Sequence, residues 1–314
     1  MKLFLSALLC VLLCGCAVEP EERSFVSAAG FGGGEVWELT LLTAEGSVDS
    51  GSNEKNPEVI IGSGESPSMA VNSCNKNSSG ELFFGHTLVC VIDTSLLESR
   101  SRVAEMTEFM AKNTEISRRV IILAAEDIPS VIGSSKDGRN IADFVDEYYS
   151  SHKSERAVTL DTLCRALAEG GDALIPLVDS DGDINGGVLL ADGSLKQYLT
   201  PAEVKCVSWL IDNGAEPSVA VDNGGVKTTV DIADKSVSTA ADCVKVSVKL
   251  KTDDMENAEK IKTLALSQIK RQAQAGLEII KENECDLVRM RHAYERAGRE
   301  FKREDIKKAE VIVQ

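Results

Sequence analysis

The sequence predicts an α+β protein with three folded parts, and three observations predict it. A strand–helix–strand pattern occupies residues 86–124, with an apolar run at each end and helical spacing between them. Two alternating strand patterns at 226–232 and 244–250 precede a long amphipathic helix that starts at Asn257. Between these regions lies a short mixed stretch, broken by Gly170-Gly171 and by Asp192-Gly193. The expected organisation is therefore a segment 1–15, a βαβ-containing N-terminal domain over 16–156, and a small α+β middle domain over 157–222. A C-terminal antiparallel sheet packed on a long helix fills 223–314.

Each element has its own justification. Residues 17–24 are charged and read as a tether. Residues 36–43 read as a strand with Trp37, Leu39 and Leu41 on one face, and 46–66 as a loop rich in Gly, Ser, Asn and Asp. A short helix is expected at 68–74. Residues 86–93 form a continuous apolar run, as in a strand buried on both faces, and 119–124 form a second. Leu96, Leu97, Val103, Met106 and Met110 place a helix over 95–112, so the unit is parallel with a right-handed crossover. Helices follow at 141–149 and 160–168. Pro176 relegates 173–178 to an edge strand. Asp192-Gly193 joins strands at 188–190 and 195–198 as a hairpin turn. Thr200 caps a helix with Pro201 at its first position and Glu203 three residues after the cap, and Gly214 ends it. In the last third, Ile261, Leu264, Ala265, Ile269, Ala273, Leu277 and Ile280 fall near one helical face. A second helix is expected over 286–301 and a closing strand over 311–313.

The first sixteen residues carry the clearest functional signal. Lys2 and the amino terminus form a minimal positive region, followed by an apolar run over 3–13 and then Leu13-Cys14-Gly15-Cys16. A run over residues 3–13 is too short to span a hydrocarbon core about 30 Å thick. The run fits an export signal cut between Gly15 and Cys16 after lipid is attached to the Cys16 sulfur. Acyl chains contribute roughly 0.8 kcal/mol per buried CH₂, so such a group holds a chain at the outer face without a spanning helix.

Composition narrows the remaining classes. The formal net charge is −16, and it becomes one unit more negative when Lys2 leaves with the signal. That balance disfavours nucleic acid. Aromatic residues make up 4% of the chain, too few for a carbohydrate face of stacked rings. Cys74, Cys90, Cys164, Cys206, Cys243 and Cys285 lie far apart, with no C-x-x-C spacing, and read as buried thiols rather than a zinc or redox site. Asp181, Asp183, Asn185 and Asp192 have the spacing of a calcium loop, with Gly186 at its sixth position. A polar turn followed by a strand accounts for the same residues, and Gly193 stands where the exiting helix of such a loop should begin. Of the histidines, His86 abuts a strand, His152 sits in a polar stretch and His292 on a charged helix. Gly32-Gly33-Gly34 lacks the strand and helix of a dinucleotide loop. No nucleophile–base pair, P-loop or H-E-x-x-H is present.

Phe83-Phe84-Gly85-His86, followed by the strand to Asp93, resembles the Ger(x)C family, the lipoprotein C subunits of nutrient germinant receptors in endospore formers. Asp172-Ala173-Leu174-Ile175-Pro176-Leu177 resembles the family's lead into its middle region, and Gly187-Val188-Leu189-Leu190 its next strand. Leu199-Thr200-Pro201-Ala202-Glu203 is similar to its Leu-Ser-x-x-Glu helix start. Gln272 or Gln274 falls near an expected Gln. Two departures stand out: Ala17-Val18 replaces the usual Trp-Asp after Cys16, and 286–289 lacks the usual glycines and aromatics. The resemblance implies a non-catalytic subunit with no cofactor, lipid-anchored at Cys16 on the outer face of the spore inner membrane. It also implies integral-membrane A and B subunits as partners and spore germination as the process. The alternatives are a solute-binding lipoprotein of an uptake system, which needs two doubly wound lobes, and a calcium-binding surface lipoprotein.

Overall fold

The computed structural model describes residues 23–43, 57–134, 139–151, 157–211, 218–252 and 257–314. It is α+β, with two sheets. The first has nine strands: β1 (Arg23–Gly32), β2 (Trp37–Thr43), β3 (Val59–Gly64), β4 (Glu81–Phe83), β5 (Val89–Asp93), β6 (Ile121–Ala125), β7 (Ala173–Val178), β8 (Ile184–Ala191) and β9 (Ser194–Leu199). Their order is β3-β2-β1-β5-β6-β7-β8-β9, with β4 pairing with the start of β1. The central strands β1, β5, β6 and β7 run parallel, and antiparallel wings flank them.

Helices cover both faces. On one lie α1 (Pro67–Asn77), α2 (Thr94–Leu97), α3 (Arg100–Lys112) and α6 (Leu160–Glu169); on the other, α4 (Ile128–Gly133) and α5 (Ile141–Ser151). Strand β5 shows why its run is wholly apolar. Cys90 and Ile92 point into the first core, while Val89 and Val91 point into the second.

The second sheet has the order β10 (Ser218–Asn223), β11 (Val226–Ala240), β12 (Cys243–Lys251) and β13 (Glu310–Val313). Helix α8 (Ala258–Glu282) lies on it and buries Ile261, Ala265, Ile269, Ala273, Leu277 and Ile280. Helix α7 (Pro201–Ser208) packs against α8, and α9 (Met290–Arg296) follows it. Thr200 and Glu203 form the expected reciprocal cap on α7.

The structure corrects several expectations. Strand β1 overlaps the expected tether only at residues 23–24, and the rest of it has no counterpart among the sequence expectations. Its sequence is dominated by small residues because α4 packs directly on it: a Cβ at Gly30 would stand 2.1 Å from Ile128 Cγ2. A strand therefore does precede Gly32-Gly33-Gly34, but β2 follows as a hairpin instead of a helix. Strands β3 and β10 were also missed. Strand β7 is interior: it pairs with β6 through Leu177 and with β8 along its length, and Pro176 sits where that register shifts, so its missing N–H interrupts no regular ladder. Strand β13 is parallel to β12, because the chain returns to the sheet through two helices instead of a turn. The helix expected over 286–301 is only α9, and α7 ends at Ser208; Gly214 lies outside the described residues.

The expected boundary at 156/157 falls inside the first sheet, which runs on to β9. Strand β8 joins the two cores by alternation. Val188 and Leu190 belong to the core under α3 and α6, and Leu189 and Ala191 to the core under α8.

Candidate functional site

Two features meet at the junction of the sheets, a charged clasp and an open cleft. The clasp centres on Asp172, at the entrance to β7. Arg303 Nη2 donates to Asp172 Oδ1 (2.7 Å) and to Gly170 O (2.7 Å), while its Nη1 donates to Asp172 Oδ2 (3.0 Å) and to Glu284 O (2.8 Å). One guanidinium thus holds α6, β7 and the end of α8 together. Asp172 also accepts from the backbone N–H groups of Asp192 (2.8 Å) and Asp286 (2.6 Å). Its side chain is 7% exposed. Asp286 in turn accepts from Met290 N (2.6 Å) and Arg291 N (2.9 Å), which fixes the start of α9. Burial raises the Asp286 pKa above the usual carboxylate range, against the lowering effect of those two N–H donors. Nearby, the buried Cys285 thiol donates to Leu190 O (3.3 Å).

Beside the clasp lies a cleft of about 1730 Å³. One wall comes from α6 and β7, through Leu163, Ala166, Leu174 and Pro176. The other comes from α7, the end of β11, residues 286–289 and α9. Arg289 adopts φ 59° and ψ 40°, and Glu284 φ 50°. These left-handed conformations, which glycine takes at least cost, occur in the segment where the expected glycines are missing.

The residues singled out from sequence fare differently. Lys2, Gly15 and Cys16 lie outside the described residues, as does His152. Asp181 N and Asp183 N both donate to Asp179 Oδ1 (3.0 Å each), forming the tight turn between β7 and β8. Asp192 lies beyond the other end of β8, roughly 25 Å away at 3.3 Å per residue, where it pairs with Arg100 (2.7 Å). Asp181, Asp183 and Asn185 therefore do not converge with Asp192 on one cation. Among the described residues no group of three His, Cys, Asp or Glu side chains could hold a metal. We expect millimolar calcium to leave the melting temperature unchanged; a rise of several degrees would restore the calcium reading.

His86 caps a packed aromatic step. Its ring lies 5.1 Å from Phe25 and 5.9 Å from Phe83, edge-on to the first. Gly85 gives the Phe83 ring room there, since a Cβ would stand 2.5 Å from Phe83 Cζ and push the ring aside. Gln272, not Gln274, is the engaged glutamine: its Oε1 accepts from the buried Trp209 Nε1 (3.0 Å). Cys74, Cys90 and Cys285 are buried free thiols, and burial pushes Cys74 up to about 11. Arg303, Asp286 and Arg289 escaped the sequence reading. Arg303 and Asp172 are 131 positions apart, and no local period connects them.

The arrangement defines a class: an α+β protein whose helix-covered mixed sheet is joined, through a buried ion pair, to a second sheet carrying a long helix. The comparisons give the family. The spore germination protein N-terminal domain matches residues 17–180, more than half of the chain. The chain belongs to the Ger(x)C family of spore germination proteins. The crystal structure of the GerBC protein shares its fold, with 12% identity and a TM-score of 0.54. The match covers 91% of this chain and 95% of that one. No curated protein matches the sequence.

Proposed function

We propose that this chain is the lipid-anchored, non-catalytic C subunit of a nutrient germinant receptor. Cys16 carries the acyl group after cleavage behind Gly15, and the folded body sits at the outer face of the spore inner membrane. There it works with the integral-membrane A and B subunits. The observation that carries this reading is the family match, which begins one residue after Cys16. Among the described residues no helix is long and apolar enough to cross a membrane, so a covalent lipid is the means of attachment the sequence offers. A solute-binding lipoprotein would need two doubly wound lobes. Here only the first sheet has a parallel centre, and the second is a four-stranded, largely antiparallel sheet.

The test is Cys16→Ala in the native host. The expected result is loss of acyl mass and a shift from the membrane fraction to soluble or unprocessed protein, with a weakened response of the spores to nutrient. Unchanged lipid labelling would overturn the assignment.

A further inference from the structure

The cleft at the sheet junction is a large open feature among the described residues, and its size, lining and charge point in one direction. Small-molecule sites occupy about 300–1,000 Å³. At about 1730 Å³ this cleft is oversized for a single nutrient. A helix 10–12 Å across, rising 1.5 Å per residue, fills about 140 Å³ per residue, so the space accommodates roughly three turns.

The lining includes the apolar side chains of Leu174, Pro176, Val204, Ala240 and Leu287. The acids of the lining are largely committed: Asp172 to Arg303, and Asp286 to the start of α9. The bases are not. Arg289, exposed and held in a left-handed conformation, makes no side-chain hydrogen bond or ion pair, and neither does His292. Arg296 is exposed and reaches only Thr239 O, at 3.4 Å. Arg291 rests its guanidinium against Phe301 and Gly170 and interacts with the Asp286 carboxylate without a direct ion pair. Glu169 and Glu295 at the rim offset part of this charge. The remainder is a cationic wall in a chain of net charge −16. Strained residues and unpaired cations beside an apolar lining suit a ligand that brings both carboxylates and apolar side chains.

We infer that the cleft is the seat of an acidic, amphipathic helical segment of a partner protein, with its apolar stripe on Leu174, Pro176 and Val204 and its carboxylates facing Arg289, Arg291 and Arg296. This rests on the receptor-subunit reading and names the surface that reading leaves open.

The test uses the full chain in its native membrane. A photo-crosslinking amino acid, p-benzoylphenylalanine, replaces Ala202 or Ala297, two exposed residues of the lining; a control probe replaces Ile312 on β13. The expected adduct joins the cleft probes to an Asp/Glu-rich amphipathic segment of a second polypeptide, identified by mass spectrometry, and is absent from the control. Arg289→Glu with Arg296→Glu lowers its yield at least tenfold, with circular dichroism and melting unchanged. Arg289→Gln, a milder change, lowers it about threefold. Adducts only to lipid, to a basic segment or to this chain's own residues 152–156 or 212–217 overturn the inference, as does a yield indifferent to the charge changes. If two integral-membrane subunits co-purify but no adduct forms, the inference falls and the subunit reading stands. If neither co-purifies, both fall.

Discussion

Arg303→Ala is expected to lower stability by about 3 kcal/mol. Breaking a buried ion pair from one side costs about 3–5 kcal/mol, because the remaining charge stays desolvated without its partner. Asp172 is that remaining charge, with its side chain 7% exposed. Arg303 is 26% exposed, which places the effect at the low end of the range. The carbonyls of Gly170 and Glu284 lose a donor in the same step. Urea denaturation reads the change as a lower midpoint. Arg303→Lys keeps the charge but not the planar fork that reaches three acceptor groups, so it falls between the wild type and the alanine variant. Arg299→Ala is the contrast. Its pair with Asp242 is 49% exposed on both sides, where water screens the charges, so its loss moves the urea midpoint far less. Equal effects at 303 and 299 would show that the clasp does not hold the two sheets together.

Gly276→Ala is the second large effect, and its sign is the informative part. In a solvent-facing helix, Gly→Ala stabilises by about 1 kcal/mol. Gly276 lies in α8 where α7 crosses it, and a Cβ would stand 2.2 Å from Cys206 O and 2.9 Å from Val207 N. The obstacle is backbone, so it cannot yield by changing rotamer. Overpacking of this kind costs about 1–3 kcal/mol, and the expected net loss is about 2 kcal/mol. Ala275→Gly, at the exposed neighbouring position, costs about 1 kcal/mol by propensity alone. A stabilised Gly276→Ala protein would mean that α7 and α8 are less closely apposed than they stand here. That outcome would also bear on the cleft, which α7 helps to line.

What was legible follows from where each signal lives. The β5–α3–β6 unit was readable because β5 is buried on both faces and α3 shows helical spacing over its own length. The α7 cap was readable because Thr200, Pro201 and Glu203 bond within one turn. The Asp192-Gly193 hairpin was readable because both residues must take positive φ, 54° and 72° here. Strand β1 was not: Gly30, with Ala28 and Ala29 beside it, reflects the approach of α4, which the strand's own pattern does not reveal. Pro176 misled for a related reason. Its tolerance depends on a register shift between β7 and β8, which belongs to the pair and not to the segment.

By itself the sequence determined the α+β class, most of the helices and the family, because each of these is written in residues that are neighbours along the chain. The tertiary structure alone decided that one sheet continues across residue 157, that Asp192 is parted from Asp181 and Asp183 by the length of β8, and that Arg303 closes on Asp172. Those outcomes depend on which distant segments pack together. Burial and ion pairing are settled only when the folded chain brings such residues within a few ångströms of one another.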